Sequence, residues 1–336
     1  ELVGRIGEMH PPRVGDVRQI RHERPTEPVV VAQRERRAAW SPRAYVIDLN
    51  LSPRNSPTRA VRHEPAALGA PLRVRSDDAG MSHSVNMALE RLIRSGLPVS
   101  ISVMFPTPWQ QETVAMLKRY PTVSVGIHLT LNSEWRNYRW GPVAGRSAVP
   151  SLVDAEGYFF PSGDALENNT PNINEVETEL RAQIERAMRS GLKIDYVDYH
   201  MGTAMRSPEF REVTERLARE FGLGMSGYFG ETMASPQYAA APASKTDSLT
   251  ALVNRLAPGV NVVITHVGVD DAELGALVDM NTSFPLPDMS KHRYGELEAL
   301  TSTRFRDALQ SRGVRLITYR ELIEMHGLTA MRPPRG

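Results

Sequence analysis

Short apolar runs alternate with amphipathic segments along the chain from about residue 67 onward. Apolar runs of strand length, which are separated by segments with helical spacing, predict seven strands: Leu72–Ser76, Val99–Met104, Val123–Leu129, Ile194–Tyr199, a short strand near Met225, Val262–Thr265 and Val314–Ile317. This alternation is typical of a parallel α/β fold. Its length favours a TIM-like (β/α) barrel of seven to eight strands, complete or lacking one strand. A doubly wound open sheet is the main alternative, although no G-x-G-x-x-G segment opens a helix.

The helix boundaries follow from capping residues. Ser82 is expected to cap a helix that Gly96 ends. Asn174 and Glu177 resemble a capping box and predict the start of a second helix. Near the end of the chain, one continuous helix over about residues 297–309 is expected to lead into the last strand.

The first part of the chain has a different composition. Residues 1–66 contain twelve arginines, no lysine and eight acidic residues, with scattered prolines and few aliphatic runs. This composition predicts a loosely ordered N-terminal extension, and an Arg-rich arm that binds phosphate or an acidic partner is the alternative. We expect residues 67–328 to form the barrel domain and residues 329–336 to form a C-terminal tail.

Composition narrows the chemistry that is available. The chain has 41% hydrophobic residues, a net charge of +1 and no cysteine. Any metal must therefore be held by His, Asp or Glu, and nothing in the net charge favours nucleic acid as the main partner. No apolar run approaches the roughly 20 residues that span a bilayer. The chain starts at Glu1, so both a cytoplasmic and an exported location stay open, and the sequence does not predict an oligomeric state.

Acidic and imidazole side chains fall where the predicted strands end. These positions are Asp77, Asp78, His128, His200 and His266. The carboxyl ends of parallel strands meet at the edge where α/β active sites are built, so we expect these residues to converge. Two imidazoles and a carboxylate can hold a catalytic divalent metal, and a second aspartate can take a proton from water. Taken singly, an Asp pair is typical of a turn or helix cap, and one histidine is typical of the core.

A long polar and aromatic loop over residues 132–171 follows the His128 strand. Trp135, Tyr138, Arg139 and Trp140 suit stacking on a sugar ring and hydrogen bonding to its hydroxyls, provided that the aromatic faces are exposed. The alternative is that the tryptophans anchor the loop on the barrel rim. His83 is a further candidate for substrate contact or for a helix start, whereas His292 is expected at the surface.

Four segments, in this order, resemble motifs of the YdjC-like carbohydrate deacetylases: SDDAGMS at 76–82, GIHLTL at 126–131, DYHMGT at 198–203 and THVG at 265–268. The resemblance covers roughly residues 68–327. It implies a barrel-like fold and removal of acetyl groups from N-acetylated sugars.

The resemblance also implies roles for single residues. Asp77 would be the general base, and His266 a candidate acid. Asp78, His128 and His200 would hold one divalent metal, which is magnesium by family resemblance, while the ligand set also suits zinc. The chain departs from the family where Met201 follows the third ligand, since many relatives carry further histidines there. It departs again at Val267, which stands in place of proline.

The sequence therefore predicts a metal-dependent carbohydrate N-deacetylase, a hydrolase of non-peptide C–N bonds whose partner is an N-acetylated sugar or oligosaccharide. Three alternatives stay open. A hydrolase of another amide or of an ester would use the same metal site. A sugar-binding relative without catalysis would not turn over, and nucleic-acid binding would depend on the Arg-rich extension.

Overall fold

A sheet of seven parallel strands forms the frame of the computed structural model, which describes residues 69–281 and 288–334. The strands are β1 (Leu72–Ala79), β2 (Ser100–Val103), β3 (Ser124–Leu129), β4 (Ile194–Tyr199), β5 (Gly224–Met225), β6 (Thr232–Met233) and β7 (Asn261–Thr265). Their order is β5-β4-β3-β2-β1-β7-β6, and every pairing is parallel. The sheet curls into a half-barrel, which confirms the TIM-like α/β fold with strands missing from a closed barrel.

Helices follow most of the strands and cover the sheet. In the described part of the chain they are α1 (His83–Arg94), α2 (Gln110–Leu117), α3 (Gly163–Asn168), α4 (Ile173–Arg189), α5 (Pro208–Glu220), α6 (Pro236–Ala239), α7 (Lys245–Val253), α8 (Ala272–Gly275), α9 (Met289–Thr301), α10 (Thr303–Ser311) and α11 (Tyr319–His326).

The first β–α unit shows why these residues adopt these elements. Every residue of β1 is buried, and the strand continues two residues beyond Asp77 rather than ending at it. The Ser82 hydroxyl accepts the backbone N–H of Val85, as predicted for an N-cap, and α1 then buries Val85 and Leu89 against the sheet. Near the end of β1, Asp78 adopts a left-handed backbone conformation (φ 64°), which an aspartate tolerates better than a β-branched residue would. This turn directs the end of β1 toward the site.

A close approach of β3 and β4 aligns two residues of the site. A Cβ atom at Gly126 would lie 2.4 Å from the Tyr196 ring, so only glycine leaves room for that ring inside the barrel. The parallel register pairs His128 with Asp198 across the two strands. Strand pairing therefore places the imidazole beside the carboxylate.

One predicted strand and two predicted helix boundaries were wrong. Residues 314–317 form a single bridge from Leu316 to Leu72 rather than a strand. Asn172, not Asn174, caps α4, and its side chain accepts the Asn174 backbone N–H. The single helix predicted over 297–309 is two helices, because Ser302 adopts an extended conformation and its hydroxyl caps α10.

His292 was also predicted wrongly as a surface residue. It lies in α9 and is buried together with its neighbour Arg293. Helix α9 packs against α1 and α7, and this packing buries His292, Arg293 and Glu296, although other polar residues of the helix face solvent.

No helix in residues 69–281 and 288–334 is long and apolar enough to cross a membrane. The predicted N-terminal extension, residues 1–66, lies outside the described residues.

Candidate metal centre

Three buried side-chain atoms converge at the carboxyl end of the sheet. Asp78 Oδ1 lies 3.4 Å from His128 Nε2 and 3.3 Å from His200 Nδ1, and the two imidazole nitrogens are 3.3 Å apart. These separations exceed those of a strong charge-assisted hydrogen bond, about 2.7–2.9 Å. They suit three ligands that share one ion, since metal–ligand bonds of about 2.0–2.2 Å hold ligand atoms more than 3 Å apart. The donor set and its spacing therefore fit a divalent metal.

Each candidate ligand is held from its other side by a charged residue. His128 Nδ1 lies 2.7 Å from Asp198 Oδ1, and His200 Nε2 lies 3.0 Å from Glu134 Oε2. Asp78 Oδ2 accepts a hydrogen bond of 2.6 Å from Arg293 Nη2. Such partners fix the orientation of a ligand and, for an imidazole, which nitrogen faces the metal.

The surrounding carboxylates favour positive charge at this centre. Burial alone would lower the pKa of both imidazoles, but Asp198 and Asp77 raise the pKa of His128 to about 10. In the same way, Glu134 and Asp78 overcome burial and raise the pKa of His200 to about 9. Burial opposes ionisation of Asp78, yet the Arg293 guanidinium holds the pKa of that carboxyl well below its usual range. The electrostatic environment thus suits a cation shared by the three ligands.

Asp77 lies beside the three ligands without joining them. Its Oδ2 is 4.0 Å from His128 Nε2, and both of its oxygens accept hydrogen bonds from Arg75, at 2.7 and 2.6 Å. Burial raises the pKa of Asp77, with a further contribution from the Asp198 carboxylate and against the effect of Arg75. The carboxylate is therefore oriented and poised to accept a proton.

A second group of residues, Asp77, His128 and Asp198, also has the composition of a metal site. Arg75 already neutralises both carboxylates of this group. It donates to Asp77, and its Nε also lies 2.9 Å from Asp198 Oδ2. His128 Nδ1 is in addition engaged by Asp198. Asp78, His128 and His200 are thus the better donor set.

His266 follows β7 directly, as predicted, and its backbone N–H donates to Glu296 at 2.8 Å. Its Nδ1 is buried without a hydrogen-bond partner among the described residues, and its ring meets Tyr238 edge-on at 5.3 Å. Burial lowers the pKa of His266 to about 3, so the imidazole is neutral near pH 7. An acid role for His266 therefore requires that it first accept a proton.

Both tryptophans of the loop after β3 are buried. Trp135 and Trp140 are each only 2% exposed, so the condition for stacking on a sugar, an exposed aromatic face, is not met at either. Trp140 Nε1 donates to the Asn132 carbonyl at 2.9 Å, and its ring meets that of His200 edge-on at 6.2 Å. Burial of both rings favours the alternative interpretation, in which the tryptophans anchor the loop, and Trp140 in addition packs behind a candidate ligand.

Tyr138 and Arg139 are likewise engaged by protein groups. The Tyr138 hydroxyl donates to the Met81 carbonyl, which joins the loop to the turn before α1. Arg139 donates to Asp154 at 2.6 Å and to the Phe159 carbonyl within the loop itself. Their predicted contact with substrate stays a prediction.

His83 lies in the first turn of α1, and 44% of its side chain is exposed. Its Nδ1 lies 2.8 Å from Glu112 Oε1, and its ring lies 5.1 Å from that of Trp109. The structure thus places His83 in a cluster with two residues of the β2–α2 region rather than among the ligands.

Three residues of the centre were missed from the sequence as functional candidates: Asp198, Glu134 and Arg293. Asp198 carried a usable signal, because Asp-x-His at a strand end places both side chains on one face of the strand. Glu134 lies in a polar loop, and Arg293 lies 215 positions from its partner, so no local pattern indicated either.

The fold and the site together define a half-barrel α/β protein with a candidate metal centre of one Asp and two His at the carboxyl edge of its sheet. The sequence model of the family described as YdjC-like protein matches residues 71–311, and the chain belongs to that family.

Individual relatives agree with this membership. A carbohydrate deacetylase of Brevibacillus brevis is 28% identical over 261 residues, covering 75% of this chain and 99% of the relative. One from Geobacillus stearothermophilus is 28% identical over 271 residues, covering 75% and 98%. Among solved structures, a protein of Enterococcus faecalis V583 superposes with a TM-score of 0.63 at 24% identity, covering 76% of this chain and 99% of the other.

Proposed function

We propose that the protein is a metal-dependent hydrolase that removes acetyl groups from N-acetylated amino sugars or short oligosaccharides. The observation that carries the proposal is the convergence of Asp78, His128 and His200 at the edge of the sheet, with Asp77 beside them. The names of the similar proteins, carbohydrate deacetylases, support the acetyl group as the target.

Asp78, His128 and His200 would hold the ion. When bound, a divalent metal there supplies a Lewis acid for the acetyl carbonyl and lowers the pKa of a nearby water. Two imidazoles with one carboxylate suit zinc, and magnesium is the metal that the family resemblance suggests. Arg293, Asp198 and Glu134 would keep the three ligands oriented.

The residues of the chain then provide the proton transfers. Asp77 takes a proton from the attacking water, while Arg75 keeps the carboxylate in position through two hydrogen bonds. The oxygen of the water joins the acetyl carbon, the C–N bond breaks, and the amine nitrogen takes up a proton. The proton that Asp77 has taken from the water passes through Nδ1 of His266, which is neutral beforehand and has no hydrogen-bond partner among the described residues, to the departing nitrogen. Acetate and a free amino sugar are the products.

The test is acetate release from N-acetylglucosamine and its oligomers, with simple acetyl esters in parallel, by protein loaded with zinc or with magnesium. We expect Asp78→Ala and His200→Ala to lose both metal and turnover. Asp77→Asn should keep the metal and lose activity by about 100-fold or more. Retention of both bound metal and deacetylation in Asp78→Ala or His200→Ala would overturn the proposal. Faster acetate release from the esters than from the N-acetylated sugars would instead indicate an esterase.

A further inference from the structure

An exposed tryptophan lies on the β2–α2 connection, at the same edge of the sheet as the metal centre. Trp109 is 36% exposed, whereas Trp135 and Trp140 are buried. The other large aromatic ring exposed in the described part of the chain is Tyr158, which is covered by the Arg139 guanidinium 5.2 Å from its centre. Trp109 is thus the exposed indole that this region offers to a ligand.

The backbone around Trp109 is fixed at both of its polar groups. Its N–H donates to the Gly80 carbonyl at 3.1 Å, two residues beyond Asp78. Its carbonyl accepts a hydrogen bond from Asn86 Nδ2 at 3.2 Å. A Cβ atom on Gly80 would lie 2.9 Å from the Cα of Gln110, so glycine permits this close approach of the two connections. The indole therefore occupies a defined position relative to the end of β1.

The side chains beside the indole are polar and accessible. The His83 ring lies 5.1 Å from the indole with an angle of 35° between the planes. Glu112 orients His83 through Nδ1 at 2.8 Å and accepts a hydrogen bond from Asn86 at 2.7 Å. An aromatic face bordered by an imidazole and a carboxylate matches a sugar ring, whose C–H face stacks while its hydroxyls form hydrogen bonds. The Glu112 carboxylate disfavours an anionic ligand.

We propose that Trp109 and His83 form an outer sugar-binding subsite that holds a ring next to the one undergoing deacetylation. The inference rests on the proposed function, because it assumes that an N-acetylated sugar occupies the metal centre. Its consequence is that the protein prefers an oligosaccharide over a monosaccharide. The subsite also gives a structural reason for the exposure of Trp109.

The experiment compares N-acetylglucosamine with its trisaccharide. Dissociation constants come from calorimetry and kcat/KM from acetate release, for the wild type, Trp109→Leu and Trp109→Phe. We expect Trp109→Leu, which keeps the apolar burial but lacks a flat face, to reduce the preference for the trisaccharide by about fivefold to tenfold in both measurements. Trp109→Phe should keep part of that preference. Met188→Ala is the control and should behave as the wild type. Met188 is an exposed apolar residue in the last turn of α4, which lies toward the opposite edge of the sheet.

The results separate the subsite from the proposed function. A preference that is the same in the wild type and in Trp109→Leu, or a wild type that binds both sugars equally or not at all, overturns the subsite. Trisaccharide binding that depends on Trp109 without any acetate release supports the subsite and contradicts the deacetylase. Acetate release with a trisaccharide preference that does not change in Trp109→Leu supports the deacetylase and contradicts the subsite.

Discussion

The two candidate histidine ligands present opposite ring nitrogens to the centre. His128 uses Nε2 because Asp198 holds Nδ1, and His200 uses Nδ1 because Glu134 holds Nε2. A carboxylate that engages one nitrogen of an imidazole fixes the orientation of the ring and therefore which nitrogen faces the metal. Glu134 is the more informative of the two partners to test, since Asp198 also pairs with Arg75.

Glu134→Gln should weaken metal binding without unfolding the protein. The amide removes the carboxylate that orients the His200 ring and raises its basicity as a ligand, and loss of such a partner costs about 10- to 100-fold in metal affinity. Calorimetric titration with zinc measures the change. Glu220→Gln, which removes an exposed carboxylate paired with Arg181, is the matched control and should leave the affinity as it is. An unchanged affinity in Glu134→Gln would contradict the assigned role.

At the scale of elements, the position of His128 depends on how closely β3 and β4 can pack. Gly126→Ala would place a methyl group 2.4 Å from the Tyr196 ring, and the strand or the ring must move. We expect a loss of about 1–3 kcal/mol in the free energy of unfolding, measured with urea, together with lower activity. Gly275→Ala has only ordinary contacts, the nearest at 3.8 Å, and should be close to neutral. Equal stability of the two variants would show that β3 accommodates the methyl group.

The loop after β3 is attached to α4 by a buried carboxylate. Glu179 accepts the backbone N–H groups of Val143 and Ala144 at 2.9 and 2.8 Å, and Gln183 donates to it at 2.7 Å. Burial raises the pKa of Glu179 from 4.5 to about 7, despite these hydrogen bonds. The attachment is therefore sensitive to pH.

This shift predicts the pH dependence of stability. Because the folded-state pKa lies above that of the unfolded chain, the contribution is complete below about pH 4.5 and is lost as the pH rises through 7. Relative to Glu179→Gln, the wild type should lose on the order of 3 kcal/mol or less between pH 4.5 and 8. Urea unfolding of both proteins at these two pH values measures the difference, with Glu185→Gln as the control for losing a carboxylate on the same helix. A difference that does not vary with pH would contradict the assignment.

The sequence predicted well those elements whose caps and apolar faces lie within their own residues. It predicted poorly those positions whose structure depends on contacts with distant parts of the chain. Helix α1 carries its own cap and apolar face, so it was predicted closely. Residues 314–317 are apolar enough for a strand, but the sheet offers them only one bridge, at Leu72. Trp140 is polar enough at its nitrogen to suit a sugar site, yet the Asn132 carbonyl takes that hydrogen bond inside the loop.

The same distinction applies to the site. Its three candidate ligands could be predicted because parallel strands bring their carboxyl ends together whatever the loops do. Two of the residues that hold them could not, since Glu134 is 66 positions from His200 and Arg293 lies on a helix near the end of the chain. Such long-range partners leave no periodic signal in a single sequence.

At the scale of the whole molecule, the centre connects separate parts of the sheet. Asp78 belongs to β1, His128 to β3, and His200 follows β4 directly. A ligand that binds only the folded state stabilises it in proportion to its occupancy, by about 2.7 kcal/mol at 100 times its dissociation constant. A bound metal should therefore raise the melting temperature of the wild type and not that of Asp78→Ala.

The magnitude of this stabilisation should rise with pH, because metal and protons compete for the same imidazoles. In the metal-free protein, the neighbouring carboxylates outweigh burial and raise the pKa values of His128 and His200 to about 10 and 9, so both rings carry an extra proton near pH 7. A metal must displace these protons, and its affinity should increase as the pH rises from 6 to 8. Calorimetric titration in buffers of different ionisation enthalpy counts the released protons, for which we expect between one and two per metal. Binding that releases no protons would mean that the metal is held elsewhere than at these two histidines.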